Sequence, residues 1–150
     1  MEELMNYCNN YFAIYGESGE HTLTENSVKI DLKAYTGMFL LIRGSLYNDG
    51  LYEVIDASSS HLRVESFIPE IFEGSVYLCK PPKAFAEPSK KIDEYRANEK
   101  KDNITHESLG NYSYTKATNS KGVVLGWKDI FSDDLKPYKR LFNNLGSVLR

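Results

Sequence analysis

Apolar and polar residues alternate with a period of two through much of residues 20–80, which is the period of a β-strand with one buried face. Leu23, Val28 and Ile30 alternate with polar neighbours on either side of Glu25-Asn26 and predict a hairpin. The continuous apolar run GMFLLIRG at 37–44 is typical of a strand buried on both faces. Three further runs follow: LYEVIDA, HLRVESF and GSVYLCK. This spacing predicts a small antiparallel β-barrel or sandwich of about five strands.

A helical period replaces this alternation at both ends of the chain. Residues 2–12 predict a short helix that places four residues on one face: Leu4, Tyr7, Cys8 and Tyr11. Gly16 and Gly19 are expected to end it. Pro81-Pro82 marks the second change of period, and the largely charged residues 83–102 predict another helix, with Pro88 suited to a first helical position.

The strongest helical pattern lies near the C-terminus. Its apolar face consists of Trp127, Ile130, Phe131 and Leu135, followed by Tyr138 and by Leu141 or Phe142. The first four residues are predicted to form the core of this helix, and Pro137 is expected to kink it. The short tail GSVLR is expected to be loosely held in an isolated subunit.

These elements predict an α+β protein in three parts. Residues 1–19 form an N-terminal helix and linker, residues 20–80 a β domain, and residues 81–150 a helical part that includes an extended segment at 106–117. In that segment Tyr112 and Tyr114 alternate with polar residues, as in a strand, but no neighbouring run is available to pair with it. Pairing with another chain would satisfy its backbone groups. The alternative is a loop that folds back on its own β domain.

Composition and charge narrow the possible functions. The 150 residues are 41% hydrophobic, enough for one domain, and carry a net charge of −3. The net charge is −8 over residues 1–79 and +5 over residues 80–150. Such a chain can stack on copies or partners of opposite sign, and the alternative is two solvated surfaces with a chance imbalance. The acidic β half argues against a nucleic-acid-binding barrel, and no nucleic-acid-binding sequence pattern is present.

Candidate chemistry is sparse. His21, His61 and His106 lack metal-ligand spacing and are interpreted as surface or capping residues. Cys8 and Cys79 are expected to be buried, reduced thiols in a cytosolic protein. No phosphate-binding loop or nucleophile motif occurs, and no apolar run approaches the length of a membrane span. The sequence therefore predicts a protein that is not an enzyme, with no metal, cofactor, signal peptide or membrane segment.

Four segments in order carry a family resemblance: LLIRGSLYNDGLYEV, PPKAFAEPSKKIDEY, HESLGNYSYTKA and GWKDIFSDDLKPYKR. Together, over about residues 7–142, the chain resembles head–tail connector (neck adaptor) proteins of tailed phages and prophages. Their shared elements are the Gly44-Ser45 strand end, the Asn48-Asp49-Gly50 turn, the Pro81-Pro82 helix start, the tyrosine segment and the closing Trp127 helix.

The resemblance implies a structural subunit of the virion neck, made in the host cytoplasm. Such subunits form a homo-oligomeric ring, usually a dodecamer. The ring docks on the portal after DNA packaging, extends the DNA channel and presents a surface to the next neck or tail completion protein. DNA would pass through the lumen without specific binding, and an acidic lumen would repel its phosphates.

The same resemblance implies the contact residues with other copies or with the portal. They are Glu107, Ser108, Leu109, Gly110, Tyr112, Tyr114, Tyr138, Arg140, Phe142, Leu145, Val148, Leu149 and Arg150. A stopper or tail-terminator type of neck protein is one alternative, and a small-barrel nucleic-acid-binding module is the other.

Overall fold

The computed structural model describes residues 1–30, 36–57, 61–105 and 126–149, and these form an α+β protein. The strands are β1 (Ala13–Leu23), β2 (Ser27–Lys29), β3 (Phe39–Arg43), β4 (Gly50–Glu53), β5 (Asp56–Ala57), β6 (His61–Arg63) and β7 (Glu70–Cys79). The helices are α1 (Glu2–Cys8), α2 (Lys83–Thr105), α3 (Trp127–Ile130), α4 (Ser132–Leu135) and α5 (Leu145–Val148), with a 3₁₀ turn at Lys136–Tyr138.

The chain divides into two compact units. The sheet unit comprises Glu2–Pro82 together with Arg140–Arg150, and the helical unit comprises Lys83–Lys139 with Met1. The C-terminal tail therefore belongs with the sheet. The sequence pattern had grouped it with the helices, because sequence neighbours do not reveal packing against residues more than a hundred positions away.

The seven strands of the described residues form one antiparallel sheet in the order β4-β3-β7-β1-β2-β6-β5. Its centre is the long ladder between β1 and β7, which runs from Ala13 opposite Cys79 to Leu23 opposite Glu70. Within the described ranges no ladder joins the edge strands β4 and β5, so the sheet is open. The predicted α+β class is confirmed, but the barrel and the count of five strands are not.

One face of the sheet carries the main hydrophobic core. Alternation along β7 points Phe72, Val76 and Leu78 into it, and β3 contributes Leu40 and Ile42. The opposite face carries a smaller cluster of Ala13, Leu41, Tyr77 and Cys79, against which Leu145 and Val148 of α5 pack. The tail thus covers one end of the second face.

Gly16 and Gly19 were predicted to end the first helix, but both lie inside β1. The predicted linker at 1–19 is therefore wrong, since the strand begins at Ala13. A Cβ atom at Gly16 would lie 2.6 Å from the ring of Tyr77, so the ring of the neighbouring strand requires a glycine here. This requirement comes from packing across the sheet and not from helix termination.

Two predictions about the helices also differ from the structure. Helix α2 begins at Lys83 and contains Pro88 in its interior. The single C-terminal helix expected over residues 127–142 is instead α3, α4 and the 3₁₀ turn, which ends at Tyr138. Pro137 lies within that turn, where its fixed φ suits the tighter geometry but its missing N–H cannot continue an α-helix.

Candidate assembly interface

The residues predicted for the interface, together with the four predicted for the core of the last helix, fall into three groups. The first group lies outside the described residues and consists of Glu107, Ser108, Leu109, Gly110, Tyr112, Tyr114 and Arg150. Trp127, Ile130, Phe131, Leu135 and Tyr138 belong to the helical unit. Arg140, Phe142, Leu145, Val148 and Leu149 belong to the sheet unit.

In the helical unit, aromatic rings pack edge to face against one another. Tyr138 meets Phe85 with ring centroids 5.0 Å apart, and Phe131 meets Tyr95 at 6.0 Å. The Trp127 ring lies under the guanidinium of Arg96 at 5.0 Å. Leu135 is fully buried, Trp127 and Phe131 are half-buried, and Ile130 is 37% exposed. The apolar face predicted as core is thus buried mainly at Leu135, and its aromatic members retain polar or cationic neighbours.

Residues 140–144, which we call the arm, are fastened to the junction between α1 and β1. The Arg140 N–H donates to the Cys8 carbonyl at 2.9 Å. The Asn9 amide donates to the carbonyls of Arg140 at 3.3 Å and Leu141 at 3.0 Å, and the Asn144 amide donates to the Ala13 carbonyl at 2.7 Å. Hydrogen bonds therefore hold the arm at both of its ends.

The junction that receives the arm has unusual backbone geometry. Asn9 has φ of 50° and Phe12 has φ of 52°. The left-handed region is uncommon for a bulky residue such as Phe12 and costs on the order of 1–3 kcal/mol. The surrounding contacts therefore fix a strained conformation at the point where the arm docks, including the bond from the Lys80 N–H to the Phe12 carbonyl at 3.0 Å.

Leu141 and Phe142, between these attachment points, are directed into solvent. They are 92% and 87% exposed, the highest values among the large exposed hydrophobic residues described. The helical period predicted one of them on the core face with Trp127. The chain leaves helical geometry after Tyr138, so the helical face does not continue to these two residues. The arm is instead held by hydrogen bonds of the Arg140 backbone and of the Asn9 and Asn144 amides, which leave both apolar side chains in solvent.

The last helix shows that the tail is not loosely held. Leu145 and Val148 are half-buried against the second sheet face, and Leu149 forms a parallel bridge with Gly16. These three residues, predicted as interface contacts, thus make contacts within their own chain, and Leu149 remains 40% exposed.

At the other end of the β1–β7 ladder, Glu70 organises the loop between β3 and β4. Its carboxylate accepts from the Ser45 hydroxyl at 2.5 Å, the Leu46 N–H at 2.9 Å and the Asn48 amide at 3.0 Å. These hydrogen bonds, that of Ser45 above all, lower the pKa of Glu70 despite the opposing effect of desolvation. Asn48 also exchanges hydrogen bonds with the backbone of Ile68 at 2.8 and 2.9 Å. The Gly44-Ser45 and Asn48-Asp49-Gly50 elements noted in the sequence are thus parts of one polar cluster.

The segments held by this cluster carry apolar side chains that are exposed to solvent. Leu46 is 77% exposed, Tyr47 61% and Ile68 55%, and we call these three residues the tip patch. Ile71, 68% exposed, and Glu73 project from the face of β7 opposite to Phe72. There Glu73 stands directly opposite Glu20 of β1, and both are exposed. Like charges in direct opposition disfavour the pair, and no lysine or arginine of the described ranges forms a salt bridge with either carboxylate.

His21 was expected at the surface but is buried, at 6% exposure. Its Nδ1 lies 3.7 Å from a Glu17 carboxylate oxygen, and its ring packs on Phe72 at 5.4 Å. The other nitrogen, Nε2, has no hydrogen-bond partner among the residues that the structure describes. Periodicity places His21 on the inward face of β1, and this signal was available once the strand was recognised.

The described residues offer little for catalysis. None of their His, Cys, Asp and Glu side chains form a group of three or more suited to a metal ion. Cys8 and Cys79 are buried, as predicted, and burial raises the pKa of the Cys79 thiol to about 12. The helices of the described ranges are too short or too polar to cross a membrane.

No protein-family model, curated protein or solved structure matches the chain.

Proposed function

We propose that the protein is a structural subunit of a phage neck ring, a head–tail connector that binds copies of itself and the portal and extends the DNA channel toward the tail. The observation that carries the proposal is the exposed pair Leu141 and Phe142 on an arm held at both ends. An isolated subunit gains no stability from two adjacent apolar side chains in water. Exposed apolar residues on a fixed segment are typical of a protein–protein contact.

Two further observations support an assembly role. The polar cluster around Glu70 holds a second exposed apolar surface at the tip patch, so the subunit offers more than one place for a partner. The order of the four sequence segments that resemble neck adaptors supplies the location in the virion. On this proposal the segment 106–117, with Glu107–Tyr114, contacts a neighbouring subunit or the portal, and the ring has twelve copies.

A stopper position in the neck is the second candidate. The extensive antiparallel sheet favours it, because adaptors of the resembled family are largely helical whereas stoppers are rich in β-structure. Both candidates place the chain at the head–tail junction and require neither cofactor nor catalysis.

The proposal is tested by cryo-electron microscopy of particles from the virus or prophage that encodes the chain. We expect a ring of this protein between portal and tail, or the next position along the neck for a stopper. Its absence from purified particles, or density in the capsid shell or the distal tail, would overturn the proposal.

A genetic test uses the double substitution Leu141→Ser/Phe142→Ser. We expect a folded protein that supports DNA packaging but not tail joining, so that filled heads without tails accumulate. Ile55→Ser is the matched control, since Ile55 is also an exposed apolar residue, at 50%, but lies away from the arm. Normal particles from the double variant would contradict the role of the arm.

A further inference from the structure

The arm and α5 together form a strap, residues 140–149, that lies on one end of the second sheet face. The sheet unit consists of the continuous segment Glu2–Pro82 and of this returning strap, and the chain passes through the helical unit between the two. The strap is therefore attached to its sheet by non-covalent contacts. Because every copy of the chain has the same sheet face, the same contacts are available to the strap of another copy.

The contacts that hold the strap are few. Its hydrogen bonds to the sheet unit are made by the Arg140 N–H and by the amides of Asn9 and Asn144. Helix α5 is a single turn in which no residue is fully buried. The Oδ1 atom of Asn144 is buried and has no hydrogen-bond partner in the described part of the chain, which weakens the attachment. Segments with few buried contacts open locally while the rest of a protein stays folded, so we expect the strap to detach without loss of the β1–β7 ladder.

The sheet face beneath the strap fits this segment closely. Leu149 forms a parallel bridge with Gly16, and a Cβ atom at position 16 would lie 3.5 Å from the Leu149 Cα. Leu145 and Val148 pack on the apolar cluster of the same face. The structure thus identifies the occupant of this face by its sequence, which is the strap itself.

Exchange of the strap between copies gives the exposed pair of the arm a place to be buried. Within one chain, Leu141 and Phe142 lie in water. A strap that leaves its own helical unit and docks on the sheet unit of another copy crosses the boundary between two subunits. Apolar side chains in the middle of that crossing are covered by protein, whereas the contacts at the ends of the strap stay the same. The burial of the pair is therefore a gain that offsets the entropy lost on association.

We propose that the strap is exchanged between copies of the chain, so that in the assembled ring each strap docks on the second sheet face of the next subunit. Leu145, Val148 and Leu149 then make contacts between subunits that are the same as those they make within one chain. The donating and the receiving surfaces differ, so the contact is heterologous and generates a ring when its rotation closes. This inference rests on the proposed ring function, but not on the position of the ring in the neck.

Chemical cross-linking of the purified full-length chain tests the exchange. Ser18 and Ser147 are exposed, and each lies two residues from the bridge between Gly16 and Leu149, so cysteines at these positions report where the strap is docked. The variants are refolded together from urea at millimolar concentration and then treated with a flexible bismaleimide. We expect a ladder of linked chains from Ser18→Cys/Ser147→Cys, and dimers without larger species from an equimolar mixture of the two single variants. Both native thiols are buried and do not compete.

Three results would overturn the proposal. One is a double variant that links only within its own chain and migrates as a monomer, since each strap would then remain on its own sheet. Another is dimerisation of Ser147→Cys alone as readily as the mixture, which would indicate a strap-to-strap contact. The third is an equal yield when Ser18→Cys is replaced by Ile55→Cys, an exposed position away from the strap, because the links would then come from random collisions.

A second measurement tests whether burial of the exposed pair favours the exchange. Leu141→Ser/Phe142→Ser, added to both cross-linking variants, should lower the yield of the mixed dimer about tenfold. Ile71→Ser is the matched control, since Ile71 is also exposed but lies at the other end of the β1–β7 ladder, and it should leave the yield unchanged. An undiminished yield from the serine pair would contradict the proposed role of the arm in the exchange.

The exchange and the proposed function fail in different ways. A ring at the neck in which every strap lies on the sheet of its own subunit would overturn this inference while the proposed function stands. A ladder of linked chains from a protein that is absent from the neck would support the exchange and overturn the proposed function.

Discussion

The side-chain amide of Asn144 donates to the backbone carbonyl of Ala13 at 2.7 Å, which joins the end of the arm to the first residue of the longest strand. The following helix then places Leu145 and Val148 on the second face of the sheet. The tail is therefore part of the folded sheet unit. Loss of these contacts should therefore lower the stability of the protein.

Truncation after Asn143 is expected to lower the free energy of unfolding by about 2–4 kcal/mol, because two half-buried apolar side chains leave the sheet. Urea denaturation followed by circular dichroism measures the change. Leu145→Ser/Val148→Ser should reproduce most of the loss, whereas Gly146→Ala, where an added Cβ meets nothing within 4 Å, should not. A truncated chain with the denaturation midpoint of the full-length protein would contradict this account.

Gly74 lies where the backbones of β3 and β7 approach closely. A Cβ atom there would lie 2.4 Å from the Arg43 carbonyl oxygen and 2.8 Å from the Phe72 ring. Since the first of these atoms belongs to the backbone, Gly74→Ala should destabilise the protein by roughly 1–3 kcal/mol. Thermal unfolding of this variant beside Gly146→Ala separates steric overlap from a general effect of alanine. Equal melting temperatures for the two variants would show that the sheet accommodates the added atom without cost.

The strands were the most predictable part of the fold. The apolar content of residues 37–44 and 74–80 predicts a strand in each segment, and the structure has β3 and β7 there. Asp49-Gly50 likewise marks the turn before β4. Strand β1 was only partly recognised, because the segment around Gly16 and Gly19 resembles a loop. The need for a glycine at position 16 arises from the ring of Tyr77, sixty-one residues away in the chain. No local pattern contains that information.

The candidate interface could be predicted only in part, because it too depends on contacts between residues that are far apart in the sequence. A helical period continued through Pro137 assigns Leu141 or Phe142 to the core, but the helix ends at the 3₁₀ turn and both side chains are exposed. The arm is positioned by Asn9 and Asn144, which carry no distinguishing motif. The tip patch depends on Glu70 reaching back to a loop more than twenty residues earlier. Contacts of this range follow from the fold and not from sequence spacing.

The hydrogen bonds to Glu70 predict how stability depends on pH. Because the pKa of Glu70 is lowered in the folded state, its carboxylate contributes stability above the ordinary carboxyl pKa, near 4.5. This contribution is lost as the pH falls through the lowered value. Glu70→Gln should therefore be less stable than the wild type at neutral pH, and the difference should shrink in acid. Urea midpoints measured across this range test the prediction.

Glu25→Gln is the control for the loss of one carboxylate, since Glu25 is exposed and lies outside the polar cluster. Its urea midpoint should stay close to that of the wild type at neutral pH. A Glu70→Gln profile parallel to that of the wild type down to strong acid would show that the Glu70 carboxylate does not stabilise the loop between β3 and β4.

The burial of the helical unit predicts an order of effects among three alanine substitutions. Leu135 is fully buried, so Leu135→Ala should cost about 2–5 kcal/mol. Trp127 is half-buried beneath Arg96, and Trp127→Ala should cost about 1–2 kcal/mol, less than the roughly 3–5 kcal/mol of a tryptophan in a core. Ile130→Ala, at an exposed position, should stay within about 0.5 kcal/mol of the wild type. Urea unfolding followed by circular dichroism compares all three, since Trp127 is the single tryptophan and its fluorescence is lost in one variant. A loss at Trp127 as large as that at Leu135 would mean that the indole is a core residue, as the helical period alone predicts.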